Sequence, residues 1–200
     1  MKLLSGAFGS WRPRAVLSPR IETGRLVLRP LEPVDAEAVA VYLDDVEVAR
    51  WLVRVPHPFT LEDAAGFISQ CCATSSLGTA TTLGIVLRGD DRAIVRGIVA
   101  LHSLDTRPEI GFWLGRPFWG SGLMTEAVDA TLSWAYARLD VDAIVAGAFE
   151  GNVASLAIQV RQGFEVIGMS RRPSLVEERL LDHIDTRLTR ARHAARPWRP

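Results

Sequence analysis

A Gly-x-Gly turn, Gly120-Ser121-Gly122, lies between an apolar run that reads as a strand and a segment with helical spacing, and this junction constrains the chain most. Without a Cβ, Gly120 and Gly122 allow tight curvature and close approach of the backbone to an anion. Consecutive N–H groups converge on such an anion, helped by the positive end of the following helix. The chain has no Gly-x-x-x-x-Gly-Lys-Ser/Thr, and the third glycine of a dinucleotide fingerprint is missing. Those two phosphate-binding loops are therefore excluded. Two glycines alone mark a structural turn more often than a ligand site.

Around this junction the chain reads as one folded unit. Two hundred residues suit one domain, and 48% hydrophobic residues suffice for a sizeable core. Lys+Arg and Asp+Glu both total 23, so no overall field favours nucleic acid or a membrane surface. No window approaches the ~20 apolar residues of a membrane span. Residues 1–20 are expected to be a flexible extension, 21–190 the folded domain, and 191–200 a basic disordered tail. The location expected is cytoplasmic, since the apolar start at Met1-Lys2-Leu3-Leu4 breaks too soon for a signal peptide. Adjacent Cys71 and Cys72 offer no metal-ligand spacing, and they read as partly buried small hydrophobes.

Periodicity and turn signals predict strands at 25–31, 82–87, 93–104, 109–114, 143–148, 165–169 and 180–188. Helices are expected at 36–43 with Asp35 as cap, from the capping box Thr60-Leu61-Glu62-Asp63 to about 75, at 123–139, and at 153–162 before Gly163. On the 123–139 helix, residues 123, 127, 130 and 134 form the apolar face. Gly89-Asp90-Asp91 signals a hairpin. The order β-α-α-β-β-β-α-β-α-β-β implies an α/β (α+β) fold: a mixed, mostly antiparallel sheet of about seven strands with helices on both faces.

The segment Glu109-Ile110-Gly111-Phe112-Trp113-Leu114, followed by Arg116-Pro117-Phe118-Trp119-Gly120-Ser121-Gly122-Leu123-Met124-Thr125-Glu126-Ala127, closely resembles the core of the GNAT superfamily of acetyltransferases. It looks most like the ribosomal-protein N-terminal (Rim-type) subgroup. Asn152-Val153-Ala154-Ser155 with Gly163-Phe164, the opening Arg25-Leu26-Val27-Leu28-Arg29 and the closing Asp182…Arg187-Leu188-Thr189 match at family spacing. The resemblance implies a V-shaped opening between the fourth and fifth predicted strands, with the pantetheine arm of acetyl-CoA pairing with backbone near Trp113 and Leu114. The pyrophosphate would rest on the amides of the loop Trp119, Gly120, Ser121, Gly122, Leu123, Met124 and Thr125, and Asn152 would contact the arm. Trp119 and Met124 depart from the superfamily's usual residues, which is tolerable if the side chains turn away from the phosphates.

Acyl transfer to an amine needs a base, a polarised thioester carbonyl and stabilisation of the departing thiolate. The resemblance makes Glu109 the candidate base and Ser155 the hydrogen-bond donor to sulfur. A backbone N–H near Trp113-Leu114 would serve the oxyanion. Gln159 stands where many superfamily members carry a tyrosine acid, and Tyr42 and Tyr136 lie in other helices. His102 reads as a packed strand histidine. His57 and the loop 170–178 are placed near the acceptor. The activity implied is acetyl transfer from acetyl-CoA, without a metal, to a primary amine such as a protein N-terminus. Alternatives are another acyl-CoA donor, a small-molecule amine such as an antibiotic or polyamine, or a non-catalytic acyl-CoA-binding module. Partners are limited to cosubstrate and acceptor, with no nucleic acid or membrane and with a monomer or homodimer expected.

Overall fold

The computed structural model describes residues 18–196, so the expected extension lies outside the described residues over 1–17, as does the tail over 197–200. Strand β1 (Ile21–Glu22) and β2 (Leu26–Pro30) open the chain, followed by α1 (Ala36–Leu43), α2 (Val46–Ala49) and α3 (Leu61–Ser76). Next come β3 (Thr81–Leu87), β4 (Val95–His102) and β5 (Glu109–Leu114), then α4 (Leu123–Arg138), β6 (Ala143–Phe149) and α5 (Val153–Arg161). The long hairpin β7 (Glu165–Ser174) and β8 (Arg179–Thr189) and the short α6 (Arg190–Ala194) close it. The eight strands form one sheet in the order β1-β2-β3-β4-β5-β6-β8-β7. The additional strand relative to the seven expected is the two-residue β1.

Successive strand residues face opposite sides, and the sequence supplies apolar side chains to both. Leu26, Leu28, Leu83, Ile85, Val99 and Leu101 meet α4 in one cluster. Val86, Val95, Ile98 and Ala100 meet α1 and α3 in a second cluster on the other face. A one-residue register shift between Ile85 and Val86 accommodates Arg96 in β4 and turns Val95 onto the same face as Ile98.

The capping box at Thr60 is present, with Thr60 Oγ1 accepting from the Asp63 amide at 3.1 Å. Asp35 is not a side-chain cap for α1. It is buried and accepts two bonds from the Arg29 guanidinium, at 2.7 and 2.8 Å, because a paired charge is the form in which a buried carboxylate is tolerated. The apolar face of α4 also differs from expectation. Leu123, Ala127, Thr131 and Ala135 and the neighbouring row Met124, Val128, Leu132 and Tyr136 are buried, while Ala130 and Trp134 are only half-buried. Rows spaced by four residues incline to the helix axis and follow the twist of the sheet beneath.

The segment 170–178, expected as a loop, is mostly the β7–β8 hairpin, which pairs from Glu165↔Arg187 to Ser174↔Arg179. Residues 191–194 of the expected tail belong to α6. Arg190 donates to the carbonyls of Tyr136, Leu139 and Val141 at 2.6, 2.8 and 3.1 Å, capping the C-terminal end of α4. Among the described residues no helix is long and apolar enough to cross a membrane.

Candidate active site

Every neighbouring pair in the sheet is antiparallel except β5 and β6, which run parallel and share a single register pair, Glu109↔Val145. Beyond that pair the strands diverge, giving the expected V. The backbone phase of β5 follows from one bond on its other side. The Gly115 amide donates to Arg96 O at 2.8 Å, so odd-numbered residues of β5 exchange hydrogen bonds with β4. The N–H and C=O groups of Phe112 and Leu114 therefore turn toward the gap. Those of Trp113 face β4, so of the two strand residues expected to offer backbone to a ligand Leu114 faces the gap and Trp113 does not, while Phe112 faces it too. Leu114 O already accepts from the Trp119 indole at 2.6 Å, so its amide is the free group.

A cleft of about 1250 Å³ occupies the gap and continues under the α1–α3 face of the sheet. Of the twelve predicted site residues, all but Ser121 line it. Gly120 and Gly122 both have positive φ, +70° and +77°, which bends the chain into the N-terminus of α4. The first amides of a helix have no intrahelical acceptor, so Leu123, Met124 and Thr125 present theirs at this bend. Leu123 and Met124 bury their side chains in the core, leaving the backbone to face the cleft. Met124 is thus compatible with a loop that binds through amides.

The loop is clamped to the opening of the sheet. Glu126, in the first turn of α4, accepts from Thr23 Oγ1 at 2.6 Å, the Arg25 amide at 2.9 Å and Arg25 Nε at 2.7 Å. Arg25 Nη1 continues to Ser121 O at 2.9 Å. Burial opposes the charge on Glu126. The bonds from Thr23 and Arg25 and the nearby guanidinium outweigh it and hold the carboxyl below its ordinary 4.5.

On the far wall, Asn152 caps α5 by accepting the Ser155 amide at 3.1 Å, which commits its oxygen and leaves its NH2 for the cleft. Ser155 is half-buried at the same wall. Behind it Gln159 is buried at 1% exposure and bonds Gly147 O, Ser155 Oγ and Thr186 Oγ1. Tyr136 donates to Leu188 O at 2.6 Å and is a structural residue whose phenol burial pushes up to about 12.

Glu109 stands at the apex of the V with an exposed side chain lining the cleft. His102 pairs with it across the strands, is half-buried, and also lines the cleft. Burial pushes its imidazole below the ordinary 6.5, the Arg54 guanidinium pushes the same way, and Glu109 pulls partly back. His183 was not legible in the sequence. It is buried on β8, donates from Nδ1 to Asp185 Oδ1 at 2.9 Å, and lines the cleft. A carboxylate only accepts, so in the neutral ring Nε2 is the free acceptor. A Cβ at Gly147 would lie 2.1 Å from the His183 ring, so this glycine makes room for it. The Asp182-His183-Ile184-Asp185 alternation on a strand places His183 and Asp185 on one face, and that is the signal that could have found the pair.

His57 pairs with Asp44 at 3.7 Å and does not line the cleft, whereas Pro56 and Phe59 on either side do. Of the segment 170–178, Arg172 reaches it. Cys71 is buried, its thiol pushed up by burial, and Cys72 is exposed. Among the described residues no group of three or more His, Cys, Asp or Glu is placed to hold a metal ion.

Comparison with known proteins gives concordant matches. The acetyltransferase (GNAT) domain matches residues 25–165. Uncharacterized N-acetyltransferase p20 of Bacillus licheniformis is 30% identical over 164 residues, covering 80% of this chain and 90% of that protein. The ribosomal-protein-S5-alanine acetyltransferase of Vibrio fischeri shares the fold, with a TM-score of 0.74 at 21% identity, over 90% of this chain and 100% of that one. RimJ of Mycobacterium smegmatis, solved with a CoA disulfide, superposes with a TM-score of 0.73 at 21% identity, over 88% of each chain.

Proposed function

The chain belongs to the GNAT family of acetyltransferases, and from that premise we propose that it moves an acetyl group from acetyl-CoA to a protein α-amino group by direct attack within a ternary complex. The observation that carries this reading is the unpaired inner edge of β5, Phe112 and Leu114, leading straight to the Gly120–Thr125 amides. An extended arm fits the first and a pyrophosphate the second. Acetyl-CoA supplies an activated acyl group and a thiol leaving group. The catalytic unit in this reading spans residues 21–190.

The remaining chemistry falls to the chain. The amides of Gly120 through Thr125 hold the pyrophosphate, and the Asn152 NH2 holds the arm. The Leu114 amide, aimed into the V, polarises the thioester carbonyl. Glu109 takes the proton from the incoming ammonium, directly or through a water. An α-amino group with pKa ~7.7–8 requires only a modest base. Ser155 donates to the departing sulfur. A protein terminus as acceptor is supported by the way the cleft runs on past the β5–β6 gap beneath α1 and α3, away from the Gly120–Thr125 amides. Its α1–α3 side is lined by Trp51, Leu52, Phe59 and Phe67, which suit a side chain following the amine.

His183, with its Asp185-fixed tautomer, is a second group with a base's geometry. Glu109→Gln and His183→Asn divide proton removal between them: the variant that abolishes the acid limb of the kcat/KM profile identifies the base. The acceptor class is tested by incubating cell extract with the protein and isotopically labelled acetyl-CoA, followed by mass spectrometry. Label on protein N-termini, reduced with Glu109→Gln, is expected. Label confined to small amines would overturn the assignment.

A further inference from the structure

Gln159 is uncharged, sits where the superfamily often carries a tyrosine acid, and is nonetheless almost completely buried beside the reacting region, at 1% exposure. Its amide orientation is fixed by its neighbours. One end lies 3.1 Å from Gly147 O, and a backbone carbonyl can only accept, so that end must be the NH2 group. The same NH2 lies 3.1 Å from Ser155 Oγ, which therefore accepts. The other end is the carbonyl oxygen, and Thr186 Oγ1, buried at 2% exposure, donates to it at 2.6 Å. Every polar position that Gln159 offers in this pocket points one way.

The consequence falls on Ser155. A serine hydroxyl has one proton and two lone pairs. With one lone pair held by the Gln159 N–H, its own proton must point elsewhere. Among the described residues Ser155 Oγ has no acceptor of its own, and it lines the cleft. We propose that Gln159 is a positioning residue that fixes the Ser155 hydroxyl as a donor into the cleft, aimed at the sulfur that leaves, through a one-way chain from Thr186 to Gln159 to Ser155. Each bond in such a chain polarises the next. No proton is transferred along it: the thioester C–S bond breaks, the electron pair stays on sulfur, and the Ser155 O–H stabilises that charge by hydrogen bonding. The inference rests on the reading of Ser155 as the donor to sulfur.

The test reads the thiol itself rather than turnover. CoA bound to the protein is titrated by ultraviolet thiolate absorbance, as a difference against the desulfo-CoA complex so that Cys71 and Cys72 cancel. Hydrogen bonding to the charged form lowers a pKa. The bound thiol should therefore titrate below free CoA in the unmodified protein. Gln159→Met keeps the volume and removes the donor. It should raise the bound thiol by about one pKa unit, a roughly tenfold loss of thiolate at fixed pH. Should that variant not fold, Gln159→Leu serves, since it also removes the amide donor and adds no charge beside the thiol. Ser155→Ala should raise the pKa as far, and adding Gln159→Met to it should change nothing more. An unshifted thiol in the Gln159 variant alongside a shifted one in Ser155→Ala overturns the role of Gln159. No shift in either overturns the reading of Ser155 beneath it.

Discussion

The clamp at Glu126 allows a perturbation whose size can be worked from the structure. Replacing Glu126 by Gln keeps the shape but removes the charge that three donors converge on, at 2.6, 2.7 and 2.9 Å. Hydrogen bonds to a charged group contribute ~1.5–3 kcal/mol against ~1 for neutral ones. The amide also turns an N–H toward either Arg25 or Thr23. The Arg25 side chain is 52% exposed while that of Glu126 is 21% exposed, so solvent screens part of the loss. A net cost of about 2 kcal/mol results, which for a chain of this size lowers Tm by roughly 4–8 °C. The sign of the pH dependence is fixed as well. The folded carboxyl is depressed below 4.5, so its contribution is complete above that value and disappears as pH falls through the lower folded one. Thermal unfolding of both proteins should show a constant gap near neutrality that narrows as pH falls below 4.5 and through the lower folded value. Since Arg25 also holds Ser121 O, KM for acetyl-CoA should rise with little change in kcat. An unchanged Tm at neutral pH, or a gap that persists into acid, would refute the clamp.

Gly147→Ala places a methyl 2.1 Å from the His183 ring and 2.7 Å from Ile184 O. Overpacking of this kind costs ~1–3 kcal/mol, readable in urea unfolding, and should displace His183 and lower kcat. Arg54→Gln removes a charge that depresses His102, so the imidazole should titrate at higher pH by NMR, whereas Glu109→Gln should lower it further. Because the His102 pKa is depressed on folding, its contribution to stability is present above 6.5 and lost as pH falls through the folded value. Tyr136→Phe removes a buried donor to Leu188 O and should cost about 1–3 kcal/mol without altering the pH–rate profile. A changed profile would return this tyrosine to the chemistry.

Features set by local chemistry were legible before any coordinates. The capping box at Thr60, the strand Glu109–Leu114 and the glycine bend before α4 depend on neighbours in the chain, and the sequence alone located all three. What escaped depended on how the chain folds back on itself rather than on the run of adjacent residues. Asp35 looks like a helix cap until Arg29 claims it, and the 170–178 loop becomes a hairpin only because Arg179–Thr189 lies alongside. Which β5 residues face the V was beyond sequence reasoning, since that phase is set by the Gly115 bond to Arg96 after a bulge. His183 was missed because its Asp185 partner sits two residues away on a strand, a spacing shared by any alternating polar pair.

The sheet is joined across its middle by one pair of residues, Glu109↔Val145, with α4 leading from one half to the other. Mechanically that is a seam. A ligand lying in the V would supply the inter-strand hydrogen bonds that β5 and β6 do not make to each other, acting as a temporary ninth strand. Occupancy and rigidity are then the same event. The Phe112 and Leu114 amides should exchange with solvent freely in the empty protein and slow when CoA binds, and saturation at 100 times Kd should add about 2.7 kcal/mol to global stability. A cell depleted of the cosubstrate would thus hold this protein in its most easily opened form.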